Sequence, residues 1–448
     1  MAIARFAVSR VDARGCAQSG ATATAAAAYE RALATFQGWR AGAEAELAPA
    51  LQEAPGFVMA HVLDACLRVA SRDPRQVRSA APMLARAAAL PMNARERLHV
   101  AALRAVPDDD YEGAKARLGK LLRKDPRDVL ALQMAHLFDH VTGDVARMHD
   151  RVAAVLPAWS RDLPGYGAVL AMHAFGLEES GEYDHAERSA RAALALDPGN
   201  ARAHHALAHV FEMSGRAEDG IRWLSENAAG WAVGSTVARH CFWHLALFRL
   251  ARGEVGTALA LYDEHLAPTP DADLADLIDA SALLWRLHLR GIDAGARWQV
   301  LADAWAPFSD DAFCSFNDLH AMLAFVGAGD CKRAGHLEQV LAAGRKRRTR
   351  HGGTTRLLGL KACRAVIAFG AGDDSLAIRL LGRLPLRALR LGGSHAQRDV
   401  LPLTGLRAME RIRQQRRPHR LHEAMARFIG EFGLLLPGFR RRHTLARE

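Results

Sequence analysis

The sequence predicts an all-α protein of stacked antiparallel helix pairs, and three observations predict it. Alanine is very frequent and β-branched runs are scarce, which favours helix over strand along the chain. A glycine or aspartate turn, an alanine five residues on and a proline twelve further on recur with a period of about 34 residues. Small residues also sit where two antiparallel helices have to approach closely. The length of 448 residues would suggest two or three globular domains, but a repeat protein grows by stacking and escapes that estimate.

In chain order, residues 1–20 read as a flexible N-terminus, 21–405 as the helical repeat domain and 406–448 as a basic C-terminal helix or tail. Residues 22–70 read as two helices, the second ending near FVMAHVLDACLRVA, and residues 76–105 as a further pair broken at Pro91. Tyr111, Ala114, Leu118 and Pro126 close one repeat, and Gly143 marks the turn of the next. The loop LPAWSRDLPGY (156–166) carries two prolines and interrupts the period as an insertion. In the clearest unit, Gly181, Tyr183, Ala186, Ala193, Leu194 and Pro198 sit where a tetratricopeptide repeat places its turn, its packing residues and its closing proline. Gly215 follows Gly181 by one period, and Gly253, Ala258, Tyr262 and Pro270 give a third unit. Residues 272–306 hold a strongly apolar helix around LADLIDASALLWRLHLRG and a segment at Arg297 and Trp298. Gly329 with Ala334 and Gly372 with Ala377 mark looser units. The predicted fold is a tetratricopeptide-like right-handed superhelix of antiparallel helix pairs.

Composition removes several function classes. No apolar run reaches the roughly 18 residues of a membrane span, and the N-terminal segment lacks the apolar core of a signal peptide. The six cysteines are scattered with no CxxC pair, which argues against disulfides and thiolate zinc sites and fits a reducing cytoplasm. The net charge of +10 is concentrated at the C-terminal end, where 24 Lys and Arg against 7 Asp and Glu follow residue 340. The basic runs GRKRRTRH (344–351) and RIRQQRRPHR (411–420) carry no interleaved aromatics. They read as solvated loop and tail, with nucleic-acid contact limited to weak, nonspecific binding by the basic C-terminal region. Nucleophile elbow, P-loop and dinucleotide fingerprint are all missing from the sequence, so no cofactor is assigned.

The unusual chemistry lies between residues 201 and 266. His205, His209 and Glu212 fall at i, i+4 and i+7, and His240 and His244 at i and i+4 with Trp243 beside them. Asp279, the FNDLH residues Asn317, Asp318 and His320, and the QRD residues Gln397, Arg398 and Asp399 supply further polar contacts. The first reading of the cluster is a hydrogen-bonded lining that holds helices in register. The second is a groove for a peptide, protein segment or small polar ligand. Third comes a metal site, since paired histidines at i, i+4 present two imidazoles on one face and a carboxylate such as Glu212 could join them, with Asp279 or Asp318 orienting the set. No metal is assigned at this stage.

These motifs carry a family resemblance. FVMAH (57–61), RERLHV (95–100), FGLEE, HALAHVFEM (205–213), HCFWHLAL (240–247), LYDEHL (261–266), FNDLHAM (316–322) and GGSHAQRDV (392–400) together make the chain resemble the tetratricopeptide repeat protein 38 family, also called StaR-like, over roughly residues 20–405. In the last motif, Asn is the more usual residue where this chain has His395. The resemblance implies a tetratricopeptide-like superhelix, with some bacterial relatives among antibiotic-biosynthesis genes, where an enzymatic part has been suggested. Tetratricopeptide numbering further implies that the histidines and Glu212 line a concave groove. The leading expectation is a binding protein with that groove. The alternative is an enzyme using the His/Glu/Asp cluster for acid/base or metal-assisted chemistry. A peptide groove should spread its polar residues over many repeats, whereas an enzyme pocket should converge them at one point.

Overall fold

The computed structural model describes residues 9–414, apart from 271 and 311. The chain is all-α, built of tetratricopeptide-like antiparallel helix pairs. It divides into two compact units. The first comprises the described residues up to His140 with Asp144–Leu207 and Asn227–Ala238; the second comprises Val141–Gly143, Ala208–Glu226 and the described residues from Arg239 onward. The basic segment beyond residue 414, including most of RIRQQRRPHR, lies outside the described residues. Among the described residues no helix is long and apolar enough to cross a membrane.

One turn explains the periodicity. Gly143, Gly181, Gly215, Gly253, Gly329 and Gly372 all have positive φ, and so does Gly291, which the sequence reading passed over. At each, the N–H of the following residue donates to the carbonyl five residues back, as from Glu182 to Leu177 or from Asp330 to Phe325 (both 2.9 Å). This is the Schellman closure, which needs a left-handed residue at the turn and therefore favours glycine. In Gly143–Asp144, Gly329–Asp330 and Gly372–Asp373 the next residue caps the following helix, its carboxylate accepting from the N–H three residues on. A Gly-Asp dipeptide thus stops one helix and starts its partner. Gly215, Gly253, Gly291 and Gly329 are evenly spaced, each interval about one helical turn longer than the 34-residue unit.

In the first unit, residues 22–70 form three helices, Ala23–Gln37, Ala43–Glu53 and Val58–Ala70, where the sequence predicts two. Pro55 and Gly56 separate the last two. Residues 9–19, assigned from sequence to a flexible N-terminus, pair as antiparallel strands Ser9–Val11 and Ala17–Ser19. Polar side chains fasten this hairpin: Glu96 accepts from the Ser19 N–H (2.7 Å), Arg95 donates to the Ala17 carbonyl (2.8 Å) and Arg14 pairs with Glu30 (2.6 Å). His61 and His204 each bond a proline carbonyl six residues back, Pro55 and Pro198, both at 2.9 Å. These histidines therefore hold helix entries.

The second unit is organised on the helix Leu274–Leu289, almost wholly buried, which packs on Ser315–Gly327, Arg297–Trp305 and Val400–Gln414. Two of its tryptophans bury with their N–H groups satisfied, Trp285 donating to Thr404 and Trp305 to Ser281, both at 2.8 Å. The helix Val400–Gln414 runs through the expected boundary at residue 405, because Val400, Leu401, Ala408, Met409 and Ile412 belong to this core. The basic loop residues 345–349 are exposed.

Candidate functional site

The second unit takes from the helix Ala201–Met213 the turns from Ala208 onward, and from Ala238–Ala251 all but the first residue. These segments bring His209 and Glu212 against His240 and His244. The ring centroids of His209 and His244 are 4.5 Å apart, those of His240 and His244 4.8 Å, and those of His209 and His240 6.1 Å. Each of the three histidines offers a ring nitrogen within 4.8 Å of the others. His209 and His244 are wholly buried, while the His240 side chain keeps 17% of its surface exposed.

Two carboxylates fix the rings. His244 Nδ1 lies 2.7 Å from Glu212 Oε2, and His240 Nδ1 lies 2.6 Å from Asp279 Oδ2. An ionised carboxylate only accepts, so in each pair Nδ1 carries the hydrogen and, in the neutral ring, Nε2 holds the lone pair. Asp279 is fixed in turn by Gln397, whose Nε2 donates to Oδ1 at 3.1 Å. Gln397 also completes the capping box of Ser394. Trp243 stacks on His240 (centroids 5.1 Å, 15° between planes), and the Arg286 guanidinium stands 5.4 Å over the Trp243 ring.

The other expected residues do different work. His205 belongs to the first unit, where it stacks with Phe175 (5.6 Å) and lies tilted against Trp39 (5.4 Å). His320 is fully buried and its Nδ1 donates to the Phe316 carbonyl at 2.8 Å. Arg398 donates to the carbonyls of Gly392 and Gly393, and Asp399 pairs with Arg286. Asn317 is half-buried and its backbone N–H donates to the Cys314 sulfur, while Asp318 is buried on the same helix. These residues are buried or half-buried and bonded within their units; among the members that converge, only His240 reaches solvent appreciably. The sequence reading passed over Arg286, although it stands seven residues after Asp279 on the same helix face.

Burial governs the protonation of this interior. It pushes the His244 imidazole below its ordinary value, with Glu212 opposing, and it pushes His320 down to about 4, with the Phe316 carbonyl opposing. Both rings are more easily protonated in the unfolded chain than in the folded one. The stability they contribute is complete above the unfolded value of about 6.5 and is lost as pH falls from there. His320 alone is expected to remove about 2 kcal/mol of unfolding free energy between pH 7.5 and pH 5. Urea titrations at the two pH values check this; His320→Gln should flatten the difference, and an unchanged slope would sink the assignment.

No family model matches the sequence. Among solved structures, the chain is similar to a human IFIT1 dimer with m7Gppp-AAAA, at 16% identity over 98% of this chain and 96% of that one, with a TM-score of 0.44. A human IFIT1 dimer with PPP-AAAA aligns at 14% identity over the same shares, with a TM-score of 0.43. The TPR domain of P58(IPK) aligns at 14% identity over 77% of this chain and 97% of that one, with a TM-score of 0.18. The functional reading rests on the side chains themselves.

Proposed function

We propose that this tetratricopeptide-like protein binds a small polar ligand at the paired His–carboxylate dyads of its second unit. The observation that carries the reading is convergence. His244–Glu212 and His240–Asp279 meet at one buried point, with His209 beside them and His240 as the exposed ring. An extended peptide would need polar residues spread over successive repeats, whereas a point of this size suits a compact, hydrogen-bonding molecule. The motifs of the tetratricopeptide repeat protein 38 (StaR-like) family support placing the chain in that family.

A second reading, an enzyme, is favoured by the dyads themselves. An imidazole whose Nδ1–H is held by a carboxylate presents Nε2 as a proton acceptor, and burial keeps His244 neutral at neutral pH. The same side chains can bind and move a proton.

Native mass spectrometry of the full chain, purified without chelator, tests the proposal. A small co-purifying mass is expected on the wild type and should be lost from His209→Ala and His244→Gln, with helical circular dichroism unchanged. A wild-type mass equal to the bare chain, or an adduct that survives both substitutions, would count against it.

A further inference from the structure

We infer that His209, His240 and His244 form a binding site for a divalent transition metal of the zinc class. The inference rests on the reading of that point as a ligand site and names the ligand. Three imidazoles from two helix segments place ring nitrogens within 4.8 Å of one another. Bonds of about 2.0–2.1 Å to a common ion require those nitrogens to close to roughly 3.3 Å.

The outer contacts fit this ion better than they fit packing alone. Histidine ligands characteristically donate their other ring N–H to a carboxylate, which fixes the tautomer and makes the ligating nitrogen more basic. Here Glu212 does this for His244 at 2.7 Å and Asp279 does it for His240 at 2.6 Å. Gln397 adds a further layer by holding Asp279. Glu212 and Asp279 together carry two negative charges, which match a divalent cation enclosed by neutral imidazoles. A packing role is met by the nearest carbonyl, as for His61, His204 and His320, or by one buried carboxylate, as for His99 with Asp128; two carboxylates behind neighbouring rings of one cluster go beyond it.

The donor set narrows the ion. Three nitrogen ligands without a thiolate suit Zn2+, Co2+, Ni2+ or Cu2+ and disfavour Mg2+ and Ca2+, which take oxygen. Three protein ligands also leave a fourth position for water or a small polar molecule, the arrangement of catalytic rather than structural zinc sites. His240, the partly exposed ring, marks the side from which that molecule enters.

The test is a titration of the full chain, stripped of metal by dialysis against chelator, with Zn2+ by calorimetry and Co2+ by visible absorption. One equivalent of each is expected, with the intense d–d bands of four-coordinate Co2+. His209→Ala, His240→Ala and His244→Ala should each abolish stoichiometric binding. Glu212→Gln and Asp279→Asn should weaken it about 10–100-fold while leaving the equivalent bound. His336→Gln, an exposed histidine paired with Asp310, should bind like the wild type. Circular dichroism separates loss of metal from loss of fold, and the two carboxylate variants keep the test decisive should a histidine variant fail to fold. The inference is overturned if the folded wild type takes up less than one equivalent, or if affinity and absorption in the Glu212 and Asp279 variants match the wild type. A metal-free chain that still carries a small organic mass would overturn this inference and leave the proposed function standing. Neither metal nor small mass would remove both.

Discussion

Asp128→Ala is expected to lower the unfolding free energy by about 3–5 kcal/mol, because it leaves a buried cation without its counter-charge. Asp128 is buried at the start of the helix Val129–Val141 and makes three kinds of contact. One carboxylate oxygen pairs with the Arg95 guanidinium and lies 2.8 Å from His99 Nε2; the other accepts from the Ala131 N–H at 2.9 Å and so caps the helix. Burial alone would raise the carboxyl, yet His99 and Arg95 hold it well below the usual carboxylate range. Its contribution is therefore present above the unfolded value of about 3.9 and is lost as pH falls below it. Asp128→Asn separates the parts: the amide oxygen can keep the cap while the charge goes, so its loss should be smaller than that of the alanine. Urea unfolding followed by circular dichroism gives both values. If both variants stay within about 1 kcal/mol of the wild type, the triad does not hold the first unit together.

This triad shows where the sequence becomes hard to read. Arg95 and His99 stand in the recognisable RERLHV motif, but Asp128 follows the repeat-closing Pro126 and reads as an ordinary turn residue. Nothing local says that a carboxylate about thirty residues on will meet both. The repeat itself was legible because its turn is a local event: a Gly-Asp pair closes one helix and caps the next, and that chemistry leaves its mark in adjacent residues. The hairpin of residues 9–19 was not, since three-residue strands carry too little alternation to register and depend on Arg95 and Glu96 far along the chain. The candidate site divides the same way. Spacing at i, i+4 put His240 and His244 on one face and His205 with His209 on another. It could not say that Glu212 would serve His244, that Asp279 would serve His240, or that His205 would stack on Phe175 in the first unit. Tetratricopeptide numbering assigns a helix face to a groove, but burial of that face is decided by what packs on it, and here His209, His244, Asp279 and Trp243 are enclosed.

Arg286→Ala is expected to cost the second unit about 3–5 kcal/mol, again through the charge it strands. Arg286 is buried within an apolar helix and spends its donors on Asp399, on the Ala396 carbonyl and on the carbonyl of Ala282 in its own helix (2.7 Å). Without it Asp399 loses this buried counter-charge. Arg286→Lys restores the charge but not the planar fork that reaches two partners, so it should recover only part of the loss. The double variant Arg286→Met with Asp399→Leu removes both charges in similar volume and should come back to near wild-type stability, as replacing a complete buried pair does. Equal instability of the double variant and Arg286→Ala would show that the pair is not the source. The double variant also bears on the site. It restores the core while removing the guanidinium from Trp243, the ring stacked on His240. Zn2+ affinity lost from a double variant of restored stability would mean that the Arg286–Trp243 stack sets the pose of His240. Affinity retained would leave Asp279, which binds the imidazole nitrogen directly, as the contact that positions the ring.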